Sequence, residues 1–317
     1  MSTVTEDTED SIQAPPVEAT AREMRQTMGA VKLSFTWMGT RRKLEDGQIR
    51  QAADTFDADR DLVTASKKLI DTKHPAYRAV SVIKSQAASF WRGMTLPYPQ
   101  DGIRLIRRDD IEKFESTMAD YRSRLEEAVN NLRDHYETIK ANARERLGRL
   151  YNPADYPATL EGTFGISWEY PPVEPPRYLL NFNPELYEQE QHRIQQRFEQ
   201  AVTMAEDAFA EKLQELVAHL IERLSDSSDG KPKVFQKSTV ENFREFYDEF
   251  KRLNVRGNTE LEALVSRANN LVAGVDAEDL RNSARLRSNL TEQMGEVRTA
   301  LDTLMANQPR RRIIRMS

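Results

Sequence analysis

The sequence predicts a mainly α protein: an elongated antiparallel hairpin of two long helices, coiled-coil-like, with a small β element and a C-terminal helical region. Three observations carry that prediction. Residues 109–150 run without proline, and without glycine until Gly148, while Ile111, Phe114, Met118, Tyr121, Leu125, Val129, Leu132, Tyr136, Ile139, Ala143, Leu147 and Leu150 recur every three or four positions, close to a heptad seam. At ~1.5 Å rise per residue such a helix is roughly 60 Å long. A second stripe of similar length follows the break at 151–183: Ile194, Phe198, Val202, Ala205, Phe209, Leu213, Leu216, Leu220 and Leu224. Finally, only 12 of 317 residues are glycine, 31% are charged and 38% are hydrophobic, a balance that favours long helices over a thick globule with glycine-rich loops. Closing one seam on the other within the chain is the economical solution, although a three-four stripe reads the same against the mate in a dimer.

In chain order, residues 1–19 are acidic, rich in Ser and Thr, and contain Pro15-Pro16, the composition of a disordered tail. Thr20 and Glu23 have capping-box spacing for a short helix towards Ala30. Val31, Leu33, Phe35 and Trp37 then alternate with polar residues up to Gly39, a half-buried strand signal. Helical texture resumes near Asp46 and runs to Ile70 with a break around 57–61, and His74-Pro75 opens a further helix ending by Gly93. A turn-rich loop at 95–102, a brief strand at 103–106 and the capping-box pair Asp109 and Glu112 lead into the first long helix.

Prolines at 153, 157, 171, 172, 175 and 176 interrupt the centre. Between them Phe164, Ile166, Trp168 and Tyr170 alternate as a second strand, expected to pair with 31–37 because an isolated strand is unstable. Asn183-Pro184 opens the second long helix, with Asn as N-cap and Pro as first residue. Three further helices start at Ser238…Glu241, Thr259…Glu262 and Asp276…Asp279, the last carrying Leu290, Met294, Val297, Leu301 and Leu304. The segments so defined are a tail (1–19), a strand-plus-helices region (20–108), the hairpin (109–226) with its loop and strand at 151–183, a C-terminal helical region (234–308) and a basic tail (309–317).

The absence of cysteine excludes disulfides, zinc–thiolate sites and thiol catalysis. There is no apolar stretch of membrane-spanning length and no signal-peptide pattern at the start, so a cytoplasmic protein without a membrane partner is expected. Net charge is −5, and Glu6, Asp7, Glu9, Asp10 and Glu18 account for it, which leaves the rest balanced and room only for local basic patches. His74, His135, His192 and His219 are isolated, with no H-E-x-x-H spacing. His135 and His192 could face each other across the hairpin, but solvated histidines are the simpler reading. A bundle carboxylate site needs Glu-x-x-His motifs, and Gln189…His192 lacks the acid. The run 162–165 (GTFG) is no phosphate loop, since no lysine follows, and no G-x-S-x-G elbow occurs. No catalytic residue, cofactor or metal is therefore assigned, and a non-enzymatic protein is expected. The strand aromatics could stack on bases, but burial already explains their alternation. Two basic clusters remain as candidate phosphate or partner contacts: Arg41, Arg42 and Lys43, and Arg310, Arg311, Arg312 and Arg315. Arg107-Arg108 precedes the long helix.

The run 31–44 (VKLSFTWMGTRRKL), the run 89–93 (SFWRG) before a long helix, and 235–244 (FQKSTVENFR) with 253–257 (LNVRG) resemble a bacterial and phage domain of unknown function over roughly residues 30–315. Proteins of this kind are often encoded near a MoxR-type AAA+ ATPase and a von Willebrand factor A protein. The resemblance implies an accessory role beside an ATP-driven remodelling pair and supplies no catalytic residues. The first expectation is thus a helical scaffold or adaptor. Its partner is a protein, either an AAA+ ATPase assembly or a second copy of itself, with the outward side of 290–304 as a docking face. The alternative is a phage-type DNA-binding protein resembling the host-nuclease inhibitors.

Overall fold

The computed structural model describes residues 17–224, 237–254, 258–275, 279–280 and 283–307. It is mainly helical with a small antiparallel sheet. In order the elements are α1 (Val17–Thr27), β1 (Met28–Thr36), β2 (Arg41–Lys43), α2 (Asp46–Thr55), β3 (Ser66–Lys68), α3 (Pro75–Met94), β4 (Thr95–Pro97), β5 (Ile103–Arg107), α4 (Ile111–Leu147), β6 (Gly165–Glu169), α5 (Tyr178–Phe182), α6 (Pro184–Leu224), α7 (Lys237–Leu253), α8 (Thr259–Val272) and α9 (Ala284–Asn307). The tail residues 1–16, the break at 225–236 and the basic tail with Pro309 lie outside the described residues, as do Gly257 and Asp276. No described helix is long and apolar enough to cross a membrane.

Two compact units cut across the contiguous segments expected from the sequence. A ribbon unit comprises Val31–Met94 and Asp109–Pro171, and a bundle unit comprises the described residues of 17–30, 95–108 and 172–307. The long helices α4 and α6 therefore belong to different units, and each buries its stripe at home. The expected hairpin does not account for either seam. The physical reason is that a three-four stripe specifies a width of apolar surface and not its partner.

In the ribbon unit, α4 buries Phe114, Met118, Leu125, Leu132, Tyr136 and Ile139 and packs against α3, whose own stripe buries Tyr77, Val80, Ile83 and Ala87. Phe90 stacks on Phe114 with ring centroids 5.9 Å apart. The expected strand pairing is present: Lys32–Thr36 of β1 run antiparallel to β6, with Leu33 opposite Trp168 and Phe35 opposite Ile166. α4 starts from a one-turn 3-10 helix at 108–110, so Asp110 takes the N-cap place, its side chain not capping the helix, in place of the expected capping box at Asp109. It ends at Gly148, whose φ of 50° and ψ of −121° suit a residue without a Cβ. Where helix was expected near 66–70, β3 forms instead and pairs with β2.

In the bundle unit, α6 is central and meets α1, α7, α8 and α9. Its buried face includes Phe198, Val202, Leu213, Val217 and Leu220, and Phe209, Phe246 and Phe250 form an aromatic cluster beside it. The cap at its start is as expected: Asn183 Oδ1 accepts the Leu186 N–H at 3.1 Å. α1 is already helical at Val17, so Thr20 sits buried within it and is not its cap. α8 is capped by Asn258, whose Oδ1 accepts the Leu261 N–H at 2.9 Å, one residue before the expected Thr259. On α9, Leu290, Met294, Val297, Leu301 and Leu304 are all core. β4 and β5 form an antiparallel hairpin that Arg104 braces through Thr95 Oγ1 at 2.7 Å and Thr95 O at 2.8 Å.

Candidate functional site

The site with the clearest chemistry is the two-stranded ribbon of β2 and β3. Arg41 lies opposite Lys68, Arg42 opposite Lys67 and Lys43 opposite Ser66, so five of six paired positions are cationic. The ladder continues on both sides, from Leu69 N–H to Thr40 O at 2.8 Å and from Leu44 N–H to Ala65 O at 3.0 Å. Successive side chains alternate faces, and the two faces have different fates. Lys67 turns inward and is 7% exposed. Its Nζ donates to Leu150 O at 2.6 Å and lies 2.6 Å from Asp155 Oδ2, out of line for a directed hydrogen bond, so the attraction to Asp155 is chiefly charge on charge. Arg42 Nε is 3.5 Å from Asp155 Oδ1. A tyrosine pair locks the floor: Tyr156 donates to Leu69 O at 2.9 Å and stacks on Tyr151. Tyr136 donates to Pro157 O at 3.0 Å, and its hydroxyl is pushed up to about 12 by burial, with Glu137 and the neighbouring tyrosines adding.

The other face carries Arg41, Lys43 and Lys68, all exposed. None of the three has an acidic partner within 4 Å among the described residues. Like charges placed directly opposite across a ladder are unfavourable by a few tenths of a kcal/mol, and Arg41 opposite Lys68 accepts that cost. Arg149 is exposed next to Leu150, and Arg146 is paired with Asp71 at 3.0 Å. Of the predicted contacts, Arg41, Arg42 and Lys43 therefore share a ribbon but divide between its faces. Arg310, Arg311, Arg312 and Arg315 lie outside the described residues. Lys67 and Lys68 were missed because three polar residues give no period-two signal; the adjacent lysines were the available clue. Arg107 is structural, donating to Arg252 O at 2.9 Å.

Other candidates resolve into packing. His135 stands beside His74, ring centroids 5.6 Å apart, and His192 bonds to Gln196 on its own helix; among the described residues no cluster of three potential metal ligands occurs. Trp37 meets Phe164 edge-on at 5.0 Å. Trp168 Nε1 and the Tyr170 hydroxyl both donate to Glu115 Oε1, at 2.6 and 2.7 Å, and burial together with Glu115 holds the Tyr170 hydroxyl well above its usual range. The Arg122 guanidinium covers Trp168 at 4.2 Å. These aromatics are engaged within the unit and are not laid out as a stacking platform. A half-open cleft of about 490 Å³ between α4 and 159–166 is lined by opposed charges, Arg122 and Arg133 against Glu126 and Glu161.

In the bundle unit the conspicuous surface is apolar. Tyr178 is 60% exposed, Leu180 47%, Phe182 83% and Leu186 38%, on the short α5 and the first turn of α6, a run that the proline-rich composition concealed. On α6, Glu206 is raised above the usual carboxylate range by burial and by neighbouring Asp207, with a hydrogen bond from Asn258 opposing the shift. No family model, no curated protein and no solved structure matches this chain.

Proposed function

We propose that this chain is a non-enzymatic adaptor that docks a protein partner through the apolar arm at 178–186, accessory to an AAA+ ATPase assembly. The observation that carries the reading is the exposure of Tyr178, Leu180, Phe182 and Leu186 together. Exposed large apolar side chains rimmed by polar ones mark interaction surfaces more often than chance exposure; Tyr178 and Phe182, four apart, share one face of α5, and exposed Arg177, Asn181, Asn183 and Glu185 flank them. Tyr178 and Phe182 sit edge to face, ring centroids 6.5 Å apart, a geometry that presents both rings as a pair. The scaffold role expected of one long hairpin passes to two separately built helical units. The choice of ATPase rests on the resemblance of the runs at 31–44, 89–93 and 235–257.

Burying one phenylalanine contributes about 1.5–3 kcal/mol, so Phe182→Ser weakens docking by roughly 10- to 150-fold. The test is calorimetric titration of the purified chain against a MoxR-type ATPase from the native host. Micromolar binding by the parent chain, weakened at least about tenfold by Phe182→Ser, supports the reading. No heat with the parent chain, or equal binding by the variant, overturns it.

A further inference from the structure

We propose that the outward face of the β2–β3 ribbon, Arg41, Lys43 and Lys68, is a sequence-independent contact for the sugar–phosphate backbone of double-stranded DNA. The inference does not depend on the adaptor reading, since the ribbon lies in the other unit.

Four observations lead to it. The three cations share one face by strand alternation and are exposed, with no carboxylate within 4 Å of them among the described residues. The nearby acid, Asp155, is committed to the opposite face, where it holds Lys67 and Arg42. The ribbon is thus anchored by buried Lys67, with exposed Arg42 beside the same carboxylate, while Arg41, Lys43 and Lys68 stay uncompensated. Arg41 and Lys43 are two residues apart on one strand, about 6.7 Å at strand rise, of the order of the separation between neighbouring phosphates along one DNA strand. Lys68 across the ladder widens the contact.

The same surface disfavours the other polyanions. Single-stranded nucleic acid is held largely by stacking on aromatic rings, and no aromatic stands at a ribbon position. A-form RNA hides its major groove from side chains, whereas B-form DNA admits a two-stranded ribbon and carries about one charge per 1.7 Å. An anionic membrane would be met by apolar side chains, and the exposed ones in this connection, Phe56 and Leu62, are ringed by exposed Asp54, Asp57, Asp59 and Asp61, which repel it.

The test is fluorescence anisotropy with a short labelled duplex, the matching single strand, and phosphatidylserine vesicles as competitor. Each phosphate contact contributes about 0.9 to the slope of log K against log salt, so the three contacts alone weaken duplex binding about 40-fold between 50 and 200 mM salt. Arg41→Gln with Lys43→Gln and Lys68→Gln makes that slope shallower by about 2.7. Arg50→Gln with Arg78→Gln and Lys113→Gln, exposed cations elsewhere in the unit, leaves it unchanged. Tryptophan fluorescence verifies that both triple variants are folded. Absence of duplex binding by the parent chain at 50 mM salt overturns the proposal. So does equal loss in the two triple variants, tighter binding of the single strand, or vesicle binding in place of DNA.

Discussion

Replacing Asp155 by alanine removes the carboxylate that neutralises Lys67 beneath the ribbon. The side chains are 6% exposed for Lys67 and 8% for Asp155, so bulk water cannot take over the lost interaction. The ammonium retains one acceptor, Leu150 O at 2.6 Å, and Arg42 loses its partner. Breaking one side of a buried pair typically costs about 3–5 kcal/mol, because the remaining charge stays desolvated. All three tryptophans, Trp37, Trp91 and Trp168, lie in the ribbon unit, so urea unfolding followed by tryptophan fluorescence reads that unit. At an m-value of about 2 kcal/mol/M, Asp155→Ala lowers the midpoint by about 1.5–2.5 M. Asp155→Leu with Lys67→Met replaces both charges by apolar groups and recovers most or all of the loss, since buried pairs are often no more stabilising than well-packed apolar substitutes. A loss below about 1 kcal/mol for Asp155→Ala, the range of an exposed pair, would show that the pair is not desolvated. Water would then be reaching the pair, and the anchoring of the ribbon would have to come from elsewhere.

Two further predictions concern backbone and burial. Gly148→Ala destabilises the ribbon unit by about 1–3 kcal/mol, because no atom obstructs a Cβ there and the cost is purely the positive φ. Gly47→Ala, in an equally open place but in ordinary helix, stabilises by about 0.4–1 kcal/mol; the pair is read by the same urea titration, and equal effects would contradict it. Glu206 has a folded pKa above its ordinary 4.5, so the folded state holds more protons than the unfolded one above that pH, and stability falls as pH rises through the window between the two values. Glu206→Gln therefore melts higher than the parent chain near pH 7, and the gain closes as pH falls below about 4.5. Melting followed by circular dichroism across that range checks this; a gain that persists unchanged in acid would show that charge is not its cause.

The sequence made some features legible for definite physical reasons. Val31, Leu33, Ile166 and Trp168 alternate because each strand has one covered face, and two such strands need each other, so the β1–β6 pairing could be read without a structure. Asn183-Pro184 announced α6 because a side-chain acceptor followed by a residue lacking an N–H satisfies a helix start chemically. The closure of the long seams was not legible. α3 repeats apolar residues at the same three-four spacing, and nothing in a stripe distinguishes a neighbour 20 residues away from one 70 residues away. Half of the ribbon was visible as Arg41, Arg42 and Lys43, but β3 is three polar residues long and its pairing is dictated by the inward Lys67 and its buried acid. The exposed arm around Phe182 was not legible, because composition records hydrophobicity and not exposure.

The adaptor claim is tested most directly by replacing Phe182 with a photo-crosslinking phenylalanine analogue in the native host and identifying what it captures. An adduct with the AAA+ ATPase is expected at position 182, and none when the same analogue stands at Phe56, which is 79% exposed in the other unit. Capture of the ATPase from position 56 and not from 182, or no adduct with it at 182, would contradict the adaptor reading.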